Sequence, residues 1–170
     1  MRQSILRYFI SLLLVSLCIC SATSIFIISG SMKEDSEREM MYSVKLIEYN
    51  LDYSGDLNKQ IETLNPLAFS DDTRISVIDE KGKVLADTYK NDISSNHLKR
   101  EEVQQALHSS NHEGYAMRRS ETTNQPLLYA AYYKDNHIIR LSIPYSGVWG
   151  YFPELAPAFA ISILISILFS

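Results

Sequence analysis

From residue 8 to residue 28 no charged side chain interrupts the run YFISLLLVSLCICSATSIFII, which is about the 20 apolar residues that cross a bilayer core. Beyond it the apolar positions Met40, Met41, Val44, Ile47 and Leu51 recur at helical spacing, and Ile61 and Leu64 continue the series after a break at Ser54-Gly55. This predicts a helix leaving the membrane, from Met32 to about Leu64. Asn65-Pro66 closes it, because the residue before a proline is driven out of the α region.

The pattern then changes period. Residues 74–78 (RISVI) alternate and are rich in β-branched side chains, residues 79–83 (DEKGK) are turn chemistry, and residues 84–86 (VLA) resume a strand. Gly82 can supply the positive φ of such a turn. After a polar loop over residues 89–96, the run HLKREEVQQAL (97–107) places Leu98, Val103, Ala106 and Leu107 on one helical stripe, with Ser95 or Asn96 as the expected N-cap. Residues 115–121, 126–133 and 137–144 read as three more strands, separated by Thr122-Thr123-Asn124-Gln125 and by Lys134-Asp135-Asn136. A second apolar run, residues 155–169, is about 15 residues long and has no polar flank after it, so the chain is expected to continue past Ser170.

These elements define an α+β fold: a long membrane-exiting helix, then a five-stranded antiparallel sheet with one crossing helix, flanked by two transmembrane helices. The expected organisation is a cytoplasmic N-terminus (1–7), a first span (8–28), an extracytoplasmic domain (29–153, core about 70–144) and a second span (154–170). A cleavable signal peptide competes for the first run, but the apolar character persists through Ile25-Phe26-Ile27-Ile28, beyond an ordinary signal core. Arg2 and Arg7 precede the span while residues 33–39 (KEDSERE) are acidic on balance, which places both chain ends of a two-pass membrane protein in the cytoplasm. The apolar helical face from Met40 to Leu51 could cover its own domain, pair with a second copy, or both, and these readings are open.

Charge narrows the partners. Leaving out Arg2 and Arg7, 14 basic residues face 20 acidic ones between the two apolar runs, a balance of −6. Nucleic acid asks for the opposite sign in clusters. Both cysteines, Cys18 and Cys20, lie in the first span, so no disulfide can hold the outer domain.

No phosphate loop, metal-ligand spacing or nucleophile elbow is present, and no catalytic residue, cofactor or metal is assigned. His108 and His112 stand four apart beside Glu113, yet Ser109-Ser110-Asn111 favours a solvated loop, and His137 opens a strand as an exposed residue. Asp71-Asp72, Asp79-Glu80 and Asp87 with Asp92 could crowd carboxylates around a hard cation, but turn-forming aspartates are the plainer reading. Asn96-His97 reads as a cap followed by a first-turn histidine. The binding candidates are Arg118, Arg119, Ser120 and Arg140 on neighbouring strands, a cationic mouth for a carboxylate or phosphate, with Tyr129 and Tyr132 or Tyr133 as an aromatic wall. Cross-strand pairing of these arginines with acidic residues is the alternative.

The runs RISVIDEKGKVLADT, NHLKREEVQQAL, EGYAMRRSET, PLLYAAYY and IIRLSIP, in this order, resemble the extracytoplasmic sensor region of bacterial two-component histidine kinases, in particular phosphate-regulon (PhoR-like) kinases with a PAS/Cache-like outer domain. The shared features are Asp79 with Gly82, the stretch from Asn96 to Glu102, and Arg118-Arg119-Ser120; Glu102 rather than Glu101 stands at the acidic position. The resemblance covers about residues 70–144 and the flanking spans. It implies an input module that works as a homodimer in the lipid bilayer of a bacterial cell membrane, takes an extracytoplasmic small molecule or protein as its signal, and acts on a cytoplasmic response regulator through domains absent from this chain. ATP and Mg would belong to that missing kinase domain. A chemoreceptor or cyclic-dinucleotide output, or a stand-alone adaptor, are the alternatives.

Overall fold

The computed structural model describes residues 2–68, 72–89, 96–120 and 124–168. They form two compact units, Met1–Glu34 with Gly147–Ser170, and Asp35–Ser146.

The first unit contains the N-terminal part of helix α1 (Arg2–Asn50) and helix α4 (Phe152–Leu168), the latter preceded by a 3-10 turn over Gly147–Tyr151. Large apolar side chains such as Phe9, Leu12, Leu17, Phe26 and Ile27 are exposed along α1, and among the described helices α1 alone is long and apolar enough to cross a membrane. The second expected span is not shown. Helix α4 has 17 residues and carries Pro157 inside it, at the lower edge of what covers a hydrocarbon core.

The second unit holds the domain expected outside the membrane. Strands β1 (Arg74–Asp79), β2 (Val84–Asp87), β3 (Glu113–Arg119), β4 (Pro126–Lys134) and β5 (His137–Pro144) form one antiparallel sheet in the order β2-β1-β5-β4-β3. Helix α3 (Glu101–His108) carries the chain from the β2 edge to the β3 edge. The hairpins follow from turn chemistry. Asp135 (φ 49°) and Asn136 (φ 66°) take the two positive-φ positions of the β4–β5 turn. In the β1–β2 turn Gly82 has φ 82° and Asp79 accepts from the backbone N–H groups of Lys81 and Lys83. Asp79 and Gly82 therefore shape the fold.

Strand periodicity gives the sheet two different faces. Ile75, Val77, Leu128, Ala130, Ile139, Leu141 and Ile143 point to one side, where Met40, Met41, Val44 and Ile47 of α1 and Ile61 of helix α2 (Leu57–Leu64) complete a buried core. Each such Ile or Leu contributes about 1.5–3 kcal/mol on burial. The Met40–Ile47 stripe thus covers its own domain, which resolves one of the open readings of that face. Helix α2 follows a break over residues 51–56, is capped by the Asp56 side chain, and passes into a 3-10 turn (Asn65–Leu67) that holds Pro66. On the other side Ile78, Val84, Ala131 and Ile138 pack against Val103 and Ala106 of α3. A Cβ at Gly114 would stand 1.9 Å from the carbonyl oxygen of Glu102, so α3 lies directly on the β3 backbone.

Helix α3 starts later than its sequence suggests. Its N-cap is Arg100, without a side-chain cap bond, whereas Asn96 was expected there and Ser95 lies outside the described residues. Asn96 is engaged elsewhere. Its Nδ2 donates to the Lys81 carbonyl (2.8 Å), its Oδ1 accepts from Leu98 N–H (2.9 Å), and its backbone bridges Lys83. These bonds pin the segment before α3 to the β1–β2 turn.

Candidate functional site

The α3 side of the sheet carries three copies of one local pattern: Arg74-Ile75-Ser76, Arg118-Arg119-Ser120 and Arg140-Leu141-Ser142. A two-residue spacing puts each Arg and Ser on one face of a strand. Strands β1 and β5 pair so that Arg74 faces Ser142 and Ser76 faces Arg140. Tyr129 of β4 faces Ser142 from the other side. A polar band therefore crosses an otherwise apolar sheet.

Its centre is an ion cluster. Glu102 of α3 is fully buried. Arg118 donates from Nη1 to Glu102 Oε2 (2.6 Å) and from Nη2 to Oε1 (3.0 Å). Arg140, 4% exposed, brings Nε within 3.2 Å of Oε1 but out of line for a hydrogen bond. Its Nη1 donates to Nδ1 of buried His97 (2.7 Å), so that nitrogen carries no proton. The Tyr129 ring lies 3.7 Å from the Arg118 Cζ and 5.0 Å from that of Arg140, a double cation–π contact. Burial pushes the Glu102 carboxyl up, but the Arg118 hydrogen bonds and the charges of Arg140 and Arg118 outweigh it and hold the group below its ordinary value. Burial also pulls Arg140 down, against the charge of Glu102. Arg118, less buried, is raised, its desolvation outweighed by the bonds to Glu102.

The structure thus brings three of the sequence-derived candidates together, Arg118, Tyr129 and Arg140, around a carboxylate from the protein itself. Arg119 and Ser120 stand apart from this cluster. Arg119 is exposed and donates to the Asn124 carbonyl (3.0 Å). Ser120 lines a cavity.

That cavity, of about 450 Å³, lies at the end of the same sheet face. Its polar wall is made by Asp72, Arg74, Ser120, Gln125 and Ser142, and Tyr89, Leu127 and Pro144 supply the rest. Arg74 is held in place by buried Asp87, Nε to Oδ1 at 2.9 Å and Nη2 to Oδ2 at 3.0 Å. Ser76 Oγ donates to the same carboxylate (2.8 Å), and the Tyr89 ring lies 5.6 Å from the Arg74 Cζ. Arg74, Tyr89 and Ser142 were not among the sequence candidates. The repeated Arg-x-Ser spacing on strands is the signal that points to Arg74 and Ser142. Tyr89 has none.

The remaining candidates resolve otherwise. His108 is exposed, with Nδ1 2.8 Å from the Gln104 carbonyl oxygen, and His112 is an exposed turn residue at φ 58°. His137, expected to be exposed, is half-buried because its ring stacks on Tyr53 at 3.9 Å. Asp71 and Asp92 lie outside the described residues, and among the described residues no group of His, Cys, Asp and Glu has the arrangement of a metal site.

No family model and no curated protein sequence matches the chain. Solved structures do. The methyl-accepting chemotaxis protein from Vibrio parahaemolyticus is 16% identical, with a TM-score of 0.52 over 72% of this chain and 97% of that one. The ligand-binding domain of the Campylobacter jejuni chemoreceptor Tlp3 in complex with L-valine is 19% identical, with a TM-score of 0.51 over 77% and 61%. The Bacillus subtilis YkuI protein, which has an EAL domain and was solved with substrate c-di-GMP and calcium, is 16% identical, with a TM-score of 0.51 over 78% and 37%. The chain spans 37% of the length of YkuI and 61% of that Tlp3 chain. The sheet domain therefore shares the fold of the chemoreceptor Tlp3 ligand-binding domain, and at these identities the likeness is one of fold alone.

Proposed function

We propose that the chain is the membrane-anchored, signal-sensing input module of a two-component histidine kinase. The observation that carries the sensing part is the cavity of about 450 Å³ on the α3 face of a sheet that has the sensor-domain fold. Such a volume suits a small molecule. Tlp3 is solved with an amino acid in its ligand-binding domain, which supports a small extracytoplasmic ligand here. The kinase assignment comes from the resemblance of residues 70–144, and the related output of a chemoreceptor or a cyclic-dinucleotide enzyme is the second reading, supported by the fold shared with the three proteins above.

In this reading the second apolar run returns the chain to the cytoplasm, the module works as a homodimer, and the output reaches a response regulator. Tyr42, Leu46 and Tyr49 are exposed at 69%, 46% and 82% on the α1 face opposite the core. Helix α1 is continuous with the candidate span, so two copies held in one membrane present this stripe to each other in parallel. A ligand that binds two packings of the domain unequally then shifts the population of one, and that difference in affinity is the signal.

The coding sequence downstream of residue 170 tests the assignment. A helix bearing a phospho-acceptor histidine followed by an ATP-binding domain is expected. A long heptad-bearing helix or a cyclic-dinucleotide enzyme would transfer the module to the second reading, and the absence of all three would overturn both.

A further inference from the structure

We infer that Trp149, Tyr151 and Phe152 hold the start of helix α4 in the headgroup zone of a lipid bilayer, through their rings and not through charge. This rests on the proposed return of the second apolar run through the membrane, and it sets the level at which that run enters.

The three aromatic side chains stand close together in sequence, and each is more than half exposed. Trp149 and Phe152 lie on one side of the chain, with ring centroids 6.3 Å apart. Tyr151 closes the 3-10 turn over Gly147–Tyr151. At three residues per turn it stands about two-thirds of a turn round from Trp149. The rings therefore girdle the segment instead of forming one stripe. A partner helix covers a single stripe, whereas lipid surrounds a chain on all sides. Trp and Tyr each join an apolar ring to a polar N–H or O–H, which suits a zone that is wet at one end and apolar at the other.

Backbone and charge fix the depth. The helical stretch begins at Gly147 and runs on into α4. The first backbone N–H groups of a helix have no partner within it, so this end belongs in the polar zone and not in hydrocarbon. Glu154 is the single charged side chain from residue 141 to residue 170. It lies in the first turn of α4, where the helix dipole favours a carboxylate and where burial in hydrocarbon would be costly. Ile161 of α4 is about 14 Å further along the helix than Phe152, at a rise of about 1.5 Å per residue. That is near the middle of a hydrocarbon core about 30 Å thick. With no Lys or Arg in residues 141–170, attraction to anionic headgroups adds nothing to the contact.

The test uses the whole chain in phosphatidylcholine vesicles. Trp149 is the chain's only tryptophan, so its fluorescence reports this site alone. Lipids brominated near the headgroup should quench it more than lipids brominated at the chain end. Adding phosphatidylglycerol should leave that depth unchanged. Tyr151→Ala together with Phe152→Ala, both at exposed positions, should leave the melting temperature unchanged and raise the quenching of Trp149 by iodide. Quenching by iodide without quenching by any brominated lipid would overturn the inference. So would protection from both, which marks a protein contact, strongest quenching from the chain end, or a depth that changes with phosphatidylglycerol. Ile161→Cys, in a background without Cys18 and Cys20, tests the span separately: a water-soluble maleimide should not reach it. Reaction at position 161 with Trp149 still at the headgroup level would remove the span and keep the anchor. Protection at 161 with Trp149 in water would do the reverse.

Discussion

Arg118 of β3 and Glu102 of α3 form a two-pronged ion pair, with bonds of 2.6 Å and 3.0 Å, over the face of Tyr129. The carboxylate is fully buried, and its position is set by Gly114, the one β3 residue that lets the α3 backbone come so close. A cationic mouth expected for a foreign anion is filled by the domain's own.

Removing one partner of this pair leaves a buried charge without its counter-ion. Glu102→Ala is expected to cost about 3 kcal/mol of domain stability, the lower end of the usual range because Arg118 is reached by solvent. In a double-mutant cycle, Glu102→Ala with Arg118→Ala should cost clearly less than the sum of the single changes. Urea unfolding of the four proteins measures it, and additive losses would show that the pair is not coupled.

The same pair gives a pH dependence. The Glu102 carboxyl is held below its ordinary value of 4.5 in the folded domain, so the stabilisation it brings is complete above that value and is lost as pH falls through the lower, folded one. The stability difference between the wild-type chain and Glu102→Gln should therefore be constant near neutrality and shrink in acid. A difference that grows as pH falls would mean the folded carboxyl is raised instead.

Gly114→Ala tests the packing that places Glu102. The added Cβ would lie 1.9 Å from the Glu102 carbonyl oxygen and 2.7 Å from the Ala106 nitrogen, backbone atoms that move only with the whole helix. The expected loss is about 3 kcal/mol, at the upper end of overpacking costs. Hydrogen exchange should show α3 deprotected ahead of the β1–β5–β4 centre. Equal loss of protection everywhere would assign the effect to global unfolding alone.

The exposed stripe on α1 predicts a parallel pair. In a background without Cys18 and Cys20, Tyr42→Cys or Tyr49→Cys should cross-link two chains in membranes, whereas a cysteine at Ile47, which is fully buried in the domain's own core, should not. Cross-linking at position 47 but not at 42 or 49 would contradict this use of the helix.

Much of the domain was legible because its signals are local. Alternation over residues 74–78 and 137–144, the Asp135-Asn136 turn and the Met40–Ile47 spacing each report on neighbours in sequence, and all four elements formed as expected. The start of α3 was not legible, since Asn96 looks like a cap and only the fold places the Lys81 carbonyl within its reach. The site was readable in part for the same reason. Arg118, Tyr129 and Arg140 are polar or aromatic interruptions of apolar strands and were found. Their common partner Glu102 sits in a helix full of charged residues, where nothing in the spacing marks it as the buried one. Arg74 was hidden in a strand that read simply as the first half of a hairpin, although Arg74-Ile75-Ser76 repeats the pattern seen at residues 118 and 140.

The central claim is that this outer domain governs an activity on the other side of the membrane. Phosphoryl transfer from ATP by the whole gene product in sealed membrane vesicles tests it most directly, comparing the wild type with Glu102→Gln and with a deletion of residues 35–146. The account predicts that both changes, confined to the outer domain, shift the rate of phosphorylation. Identical rates in all three proteins would contradict it.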